Sequence, residues 1–193
     1  MKARDLPRFG KMLNVLKHHS VISKVLVDLG CNDGKLTMEM ARLLRPEEIY
    51  CIDIDKNALN IARSRELKTY KADLSSNRSP IQDGSADLVT ALEVIEHLVN
   101  PDNMLREAYR IRILRNHGYL LITTPNLASW VNRLVMLLGY QPYNCEISTE
   151  MSSLIYYHNS VVVINEIGKM TYDKLIDETN IYDTVVAHDY KIK

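Results

Sequence analysis

Two of the seven glycines stand close together, Gly30 and Gly34, directly after the apolar run Lys24–Leu29. Glycines between a strand and a helix let the backbone turn tightly and approach a ligand closely. The helix that follows offers N–H groups to a polar or anionic part of that ligand. The dinucleotide fingerprint G-x-G-x-x-G is not met, because Asn32 stands at its second glycine, and no P-loop is present. The spacing therefore predicts a ligand-binding loop without naming the ligand.

Acidic residues end the next two strand-like segments as well. Asp53 lies near the end of Glu48–Ile54, and Asp73 directly follows Leu67–Ala72. A carboxylate at the end of the second strand can accept hydrogen bonds from both hydroxyls of a ribose. A carboxylate at the end of the third can accept one from an exocyclic amino group. Because carboxyl ends of parallel strands meet at one edge of a sheet, these acids and the glycine loop predict a nucleoside site.

The elements that must position these residues alternate along the chain. Short β-branched apolar runs predict strands, and apolar residues three and four apart predict helices. The predicted strands are Lys24–Leu29, Glu48–Ile54, Leu67–Ala72, Ala86–Leu92, Tyr119–Thr124, Val161–Ile164 and Tyr182–Ala187, and the predicted helices are Leu36–Leu44, Asn57–Arg65, Pro101–Arg115 and Tyr172–Thr179. Such alternation predicts parallel strands joined by right-handed crossovers, in an α/β sheet covered on both faces.

Composition narrows the class of protein. The 193 residues contain 24 Lys and Arg against 24 Asp and Glu, which argues against a surface built to bind phosphates throughout. Three cysteines without a CxxC pair indicate a reducing compartment, so we expect a cytoplasmic protein. No apolar run is long enough to span a membrane. We expect one domain over residues 1–193, with its core in residues 20–140 and a divergent, shortened part in residues 141–193.

Several segments together resemble the class I S-adenosylmethionine-dependent methyltransferases, in the small-molecule-type branch with an E-V-I-E-H-L motif. The matching segments are VLVDLGCNDG, CIDIDKNALNIAR, KADLSSN, IQDGSADLVTALEVIEHLVNP and LLITTPN, in family order over about residues 20–140. The resemblance implies a Rossmann-like three-layer sandwich with a seven-stranded, mostly parallel sheet whose last strand is antiparallel. It also implies S-adenosyl-L-methionine as the cofactor.

The resemblance assigns residues to that site. The implied cofactor-binding residues are Asp28, Gly30, Cys31, Asn32, Gly34, Asp53, Ile54, Asp73, Leu74 and Glu93. Those of the glycine loop would surround the methionine part, Asp53 the ribose, and Asp73 with Leu74 the adenine. Glu93 would lie beside the sulfonium and, with His97, is the catalytic candidate. Methyl transfer depends mainly on alignment of acceptor, methyl group and sulfur, and at most one base takes the acceptor's proton.

The segment Glu93–His97 also permits a metal site. On a helix, Glu93, Glu96 and His97 would share one face and could hold an ion. Metal-dependent small-RNA 2′-O-methyltransferases resemble this segment and use a further histidine after the next strand, for which only His158 and His188 are candidates here. We expect no metal.

The C-terminal part departs most from the family. Relatives carry a Gly-His-x-Arg-Phe stretch before the sixth strand, where this chain has Tyr156–Asn159. An inactive S-adenosylmethionine-binding domain that serves as a partner subunit is therefore the second hypothesis. An NAD-dependent oxidoreductase is disfavoured, since neither G-x-G-x-x-G nor Tyr-x-x-x-Lys is found.

The sequence does not identify the methyl acceptor. We expect a small molecule and neither a nucleic acid nor a membrane as partner, and the oligomeric state stays open. Residues 130–159 are a candidate substrate lid, although Leu134, Leu137 and Leu138, at helical spacing, favour ordinary core packing.

Overall fold

The structure, a computed structural model, describes residues 7–112, 118–124, 130–140, 160–165 and 184–187. Helices and strands alternate in it. In chain order they are α1 (Pro7–His18), β1 (Val25–Leu29), α2 (Lys35–Leu44), β2 (Glu48–Asp53), α3 (Lys56–Ser64), β3 (Lys68–Lys71), β4 (Leu88–Leu92), a 3-10 helix (Ile95–His97), α4 (Pro101–Arg112), β5 (Tyr119–Thr124), α5 (Trp130–Leu137), β6 (Ser160–Asn165) and β7 (Thr184–Ala187). The predicted helix Tyr172–Thr179 lies outside the described residues.

Five parallel strands form the centre of the sheet in the order β3-β2-β1-β4-β5. On one side β1 pairs with β2, where Leu29 is opposite Ile52, and on the other with β4, where Asp28 is opposite Thr90. The strand order therefore reverses at β1, and in open α/β sheets ligands bind beyond the carboxyl ends of the strands at such a point. The predicted Rossmann-like α/β sheet is confirmed.

Two short strands continue the sheet beyond β5. Strand β6 runs antiparallel to β5, with Val163 opposite Leu121, and β7 runs parallel to β6, with Val185 opposite Val162. Residues 141–159 and 166–183, which connect these strands, lie outside the described residues. The predicted seven-stranded topology, with its last strand antiparallel, therefore stays a prediction.

Helices cover both faces of the sheet because neighbouring residues of each strand point to opposite sides. Val27 faces a cluster with Met104 of α4, whereas Leu26 faces a cluster with Met12 of α1 and Met40 of α2. All five side chains are almost completely buried. This packing fixes β1 and β4 from both sides, and thereby fixes the point from which the candidate site extends.

Helix α1 is not among the predicted elements. Its buried residues Phe9, Met12 and Leu16 have helical spacing and pack on the sheet. The apolar pattern is interrupted in the sequence by Gly10, Lys11 and Lys17. For this reason the sequence does not predict the segment as a helix that packs on the core.

The expectation of core packing for the leucines at 134, 137 and 138, at the end of α5, is wrong. Leu134, Leu137 and Leu138 do not pack into the core, because their exposed fractions are 51%, 82% and 66%. Helical spacing predicts which residues share a face, but not whether another element covers that face. Across the described residues, no helix has both the length and the apolar character that crossing a membrane requires.

Candidate cofactor and acceptor site

We call Gly30–Gly34 the cofactor loop. The backbone N–H groups of Gly30 and Cys31 both donate to the carbonyl of Ile52, at 2.7 and 3.2 Å, which ties the start of the loop to β2. Gly30, Asn32 and Gly34 have positive φ angles of 77°, 51° and 74°. Glycine adopts this region without cost and asparagine at a small one. The loop therefore makes a compact turn directly above the end of β1.

The two loop glycines are also required by space. A Cβ atom on Gly30 would lie 2.3 Å from Val94 Cγ2, and one on Gly34 would lie 2.4 Å from Leu67 Cδ1. Both distances are far below van der Waals contact. The loop is thus enclosed between the segment that follows β4 and the segment that follows α3, and this accounts for the clustering of glycine in a chain with only seven.

The carboxylate of Asp53 is fixed beside this loop. Its Oδ2 accepts from the N–H of Asn32 at 2.7 Å, and its Oδ1 accepts from the N–H of Asp55 at 2.9 Å. Asp55 in turn accepts from Asn57 N at 2.8 Å and begins α3. Each oxygen of Asp53 retains a second lone pair for another donor. Ile54, 60% exposed, adds an apolar surface next to it.

Asp28 lies beneath the loop rather than on its surface. It is 2% exposed, and its two oxygens accept from the hydroxyls of Thr37 at 2.5 Å and Thr90 at 2.6 Å. Burial raises the pKa of Asp28 to about 6, against the opposing effect of these two hydrogen bonds. Asp28 therefore joins β1 to α2 and β4, and its implied contact with the methionine part stays a prediction.

The carboxylate of Asp73 is held within its own turn. Oδ1 accepts from Ser75 N and Oδ2 from Ser76 Oγ, both at 2.8 Å, and these bonds lower the pKa of Asp73. The side chain of Leu74 is 5% exposed and belongs to the core, while its carbonyl accepts from Asn103 Nδ2 at 2.9 Å. The implied adenine contacts of both residues stay predictions.

Cys31, the second residue of the cofactor loop, is buried beside Cys51. A hydrogen bond with Cys51, followed by burial, raises the pKa of the Cys31 thiol far above its ordinary value. The thiol is therefore protonated at neutral pH and is not an activated nucleophile.

We call the place between β1 and β4, where the strand order reverses, the switch point. On the side of it away from the cofactor loop, Glu93 directly follows β4. Its φ angle is 55°, and its N–H donates to the carbonyl of Thr123 at 3.0 Å and to the hydroxyl of Thr123 at 3.1 Å. The helix that follows has only three residues, Ile95–His97, so Glu93 lies outside it. The helix face that a metal site would need, with Glu93, Glu96 and His97 side by side, is therefore not formed. Nowhere in the described ranges do three His, Cys, Asp or Glu side chains group so that they could hold a metal ion.

Glu96 is the group with the most altered acid–base behaviour on this side. Burial raises the pKa of Glu96 to about 7, and the charge of Glu93 adds to the rise, whereas His97 and the nearby hydroxyl of Thr124 oppose it. Within the described residues, neither Glu96 Oε2 nor Thr124 Oγ1, both buried, makes a hydrogen bond of ordinary length and angle, although the two side chains are close enough for the hydroxyl to act on the carboxyl. Buried polar atoms are rarely left in this state, and a polar group of a ligand would relieve it. Thr124 was not predicted, and its only signal in the sequence is its place at the end of β5.

Comparisons with known proteins place the chain among methyltransferases. A family described as a methyltransferase domain matches residues 27–122, about half of the chain. A ubiquinone biosynthesis O-methyltransferase of Chromobacterium violaceum is 27% identical over 115 residues, which covers 57% of this chain and 48% of the relative. A "probable S-adenosylmethionine-dependent methyltransferase" of Mycobacterium tuberculosis is 31% identical over 101 residues, with 52% and 35% covered. The chain thus spans about half, or less, of the length of these relatives.

Solved structures share the fold. A SAM-dependent methyltransferase from Thermotoga maritima has a TM-score of 0.52 at 18% identity, and the similarity covers 83% of this chain and 84% of that one. Another, from Aquifex aeolicus, has a TM-score of 0.51 at 19% identity, with 58% and 63% covered.

Proposed function

We propose that this chain, whose residues 27–122 belong to the class I S-adenosylmethionine-dependent methyltransferases, binds S-adenosyl-L-methionine and transfers its methyl group to a small molecule. One observation carries the proposal: Asn32 N donates to Asp53 Oδ2 at 2.7 Å, beyond the carboxyl ends of β1 and β2. A turn of exposed backbone and a ribose-binding carboxylate are thereby fixed together where the strand order reverses, which is where such a fold binds its ligand.

We call the cofactor loop with Asp28, Asp53, Ile54 and Asp73 the cofactor side. Its residues have separate tasks in this proposal. Asp53 would accept hydrogen bonds from the ribose hydroxyls, and Ile54 would pack against the base. Asp73 would hold the adenine end, and Glu93 would face the sulfur. S-adenosylmethionine supplies an electrophilic methyl group on a cationic sulfonium, and the carboxylates of Asp28 and Glu93 suit that charge better than basic residues would.

We call Glu93–His97 and Thr124, which lie at or beyond the ends of β4 and β5, the acceptor side. The acceptor side would position the acceptor and supply a proton acceptor. Glu96, with a pKa of about 7, is ionised in about half of the molecules at neutral pH and can take a proton from an acceptor hydroxyl. We assign His97, at the mouth of the site, a secondary role in this transfer. The relative named as a ubiquinone biosynthesis O-methyltransferase supports a small hydroxylated acceptor.

The proposal also covers the cellular location, the extent of the domain and the class of partner. We place the activity in the cytoplasm, on one domain spanning residues 1–193, with seven strands of which the last is antiparallel to the central five. We propose neither a nucleic acid nor a membrane as a partner.

Isothermal titration with S-adenosylhomocysteine, the second product, tests the proposal. We expect the wild-type chain to bind it, and Asp53→Asn to bind about 10- to 100-fold more weakly, because hydrogen bonds to a carboxylate are stronger than those to an amide. Glu47→Gln, which removes an exposed carboxylate near Lys24 and far from the loop, is the control and should bind like the wild type. Wild-type protein that binds neither S-adenosylmethionine nor S-adenosylhomocysteine would contradict the proposal.

Turnover separates an enzyme from an inactive partner subunit. Radiolabelled S-adenosylmethionine and a panel of phenolic and catecholic acceptors should give a labelled small-molecule product. Tight nucleoside binding with no product on any acceptor would favour the inactive subunit.

A further inference from the structure

The last turn of α3 and the residues after it lie against the cofactor loop. Ala62 and Leu67 contact Gly34 so closely that a side chain there would overlap Leu67. Cys31 of the loop belongs to the same buried cluster as Ala62 and Leu67. The loop therefore has an apolar support on the side away from β4.

Arg65 adds a polar contact at the same place. Its Nη1 lies 3.1 Å from Asp33 Oδ2 and also donates to the backbone carbonyl of Asp33. The other carboxylate oxygen, Asp33 Oδ1, accepts from Lys35 N at 3.1 Å at the start of α2. One guanidinium thus contacts the side chain and the backbone of a single residue of the cofactor loop.

The contact between Arg65 and Asp33 affects the whole loop because of where Asp33 stands in it. Asp33 stands between Asn32 and Gly34, which both have positive φ angles. The orientation of the Asp33 carbonyl fixes the peptide plane that enters Gly34, whose N–H donates to Cys31 O at 2.9 Å. A guanidinium that holds this carbonyl therefore limits the backbone angles of the whole turn, including those that aim the N–H of Asn32 at Asp53.

We propose that Arg65 is a positioning residue for the nucleoside: it holds the cofactor loop, through Asp33, in the conformation in which Asn32 meets Asp53. The inference rests on the proposed function for its ligand, but not for its effect on the loop. Loss of Arg65 leaves the loop free to sample other turns, so binding must then include the cost of ordering it. An ordinary half-exposed ion pair would have no such effect, since pairs of that kind contribute little to stability.

The chain offers a matched control in Arg63. Arg63 lies in the last turn of α3, two residues before Arg65, which directly follows the helix. Arg63 is exposed and donates to Asn60 Oδ1 at 3.3 Å and to Thr69 Oγ1 at 2.8 Å, neither of which belongs to the cofactor loop. Arg65→Met and Arg63→Met remove the same charge from neighbouring positions at the end of α3. Asp55 begins that helix independently of both residues, so we expect the two variants to fold.

The first measurement needs no ligand. Amide hydrogen exchange at Asn32 and Gly34 should become about fivefold faster or more in Arg65→Met and stay unchanged in Arg63→Met, because exchange reports local opening of hydrogen-bonded segments. Equal exchange in Arg65→Met and wild type would overturn the inference, even if the chain binds no nucleoside at all.

The second measurement is affinity and kinetics. For Arg65→Met we expect the Kd of S-adenosylhomocysteine and the KM of S-adenosylmethionine to rise about tenfold, because hydrogen bonds to ionised groups are the strong ones. We expect kcat to stay within about twofold, since Arg65 contacts neither reactant. Arg65→Lys, which keeps the charge but not the forked geometry, should recover part of the affinity. Wild-type affinity in Arg65→Met, or an equal loss in Arg63→Met, would contradict a positioning role, whereas wild-type protein that fails to bind either nucleoside contradicts the proposed function instead.

Discussion

The two sides of the switch point differ in how completely their polar groups are engaged. On the cofactor side, Asp28, Asp53 and Asp73 each accept hydrogen bonds at both carboxylate oxygens. On the acceptor side, buried oxygens of Glu96 and Thr124 make no hydrogen bond of ordinary length and angle within the described residues. The cofactor side is thus arranged before any ligand binds, whereas the acceptor side needs further polar groups to complete it.

This difference suggests that the two sides have different tasks in the proposed reaction. Methyl transfer gains most from alignment, and a rigid nucleoside site provides one fixed reactant. The second reactant, the methyl acceptor, must then bind on the acceptor side, where its polar groups can form hydrogen bonds with the buried oxygens of Glu96 and Thr124. We therefore expect changes on the cofactor side to alter affinity and stability, and changes on the acceptor side to alter turnover.

The largest effect should come from the place where the two sides touch. Gly30→Ala adds a Cβ that would lie 2.3 Å from Val94 Cγ2, on a backbone with a φ angle of 77°. We expect the free energy of unfolding, measured in urea, to fall by about 3 kcal/mol, from overpacking and from the left-handed backbone together. Val94→Ala in the same chain should recover the packing part but not the backbone part. If Gly30→Ala were as stable as the wild type, the two sides would not be in the contact described.

Glu96→Gln should then separate turnover from binding. Removal of a general base typically lowers kcat by about 100-fold or more, while the affinity for S-adenosylhomocysteine should hardly change. In the wild type, kcat should rise as the pH rises through about 7, since Glu96 takes a proton only when ionised, and the variant should lose this dependence. The exposed Glu66→Gln provides the control. A Glu96→Gln enzyme with wild-type turnover would end the assignment of the acceptor side to proton transfer.

Asp28 allows a test of a buried charge on the cofactor side. Its folded-state pKa, about 6, lies above the ordinary value of 3.8, so its contribution to stability is full below the lower value and is lost as the pH rises through about 6. Asp28→Asn removes that loss but also one of the two acceptors for the Thr37 and Thr90 hydroxyls. Relative to the wild type, the variant should therefore be more stable at pH 7 than it is at pH 4, by up to about 3 kcal/mol in the free energy of unfolding.

The same variant tests why a costly carboxylate is present. If its charge serves the sulfonium, Asp28→Asn should weaken the binding of cationic S-adenosylmethionine more than that of neutral S-adenosylhomocysteine. Equal losses for the two nucleosides would restrict Asp28 to joining β1, α2 and β4. Paired titrations at pH 7 and pH 4 with both nucleosides decide between these roles.

The smallest effect should come from α5. Leu137 is 82% exposed, so Leu137→Ser should change the free energy of unfolding by less than about 0.5 kcal/mol. Leu120→Ala, a truncation of a fully buried residue of β5, is the contrasting variant and should cost about 2–5 kcal/mol. A comparable loss from both variants would show that α5 is covered and that the predicted core packing was right after all.

Local signals in the sequence predicted the cofactor side better than the acceptor side. Gly30 and Asp53 lie at strand ends and Gly34 lies directly before α2, and the structure joins the loop between the two glycines to Asp53 through Asn32. Thr37 and Thr90, which bind Asp28 from α2 and β4, could not be predicted, since no periodicity marks a hydroxyl that meets a carboxylate from a distant element.

On the acceptor side the sequence suggested the wrong local structure. The spacing of Glu93, Glu96 and His97 has a helical period, but the positive φ angle of Glu93 and the short 3-10 helix separate Glu93 from the other two. Helical spacing places residues on one face only where a helix continues through all of them. The segment must instead turn sharply after β4 to pass over Gly30, and that demand comes from tertiary packing, not from the segment itself.

A crystal structure of the chain with S-adenosylhomocysteine would show whether the cofactor side is arranged before the ligand binds. We expect both ribose hydroxyls within about 2.6–3.2 Å of the Asp53 carboxylate. We also expect that Asn32 N remains bonded to Asp53 and that Gly30 and Gly34 keep their positive φ angles. A nucleoside bound elsewhere, or a cofactor loop refolded around it, would contradict a cofactor side that is arranged in advance.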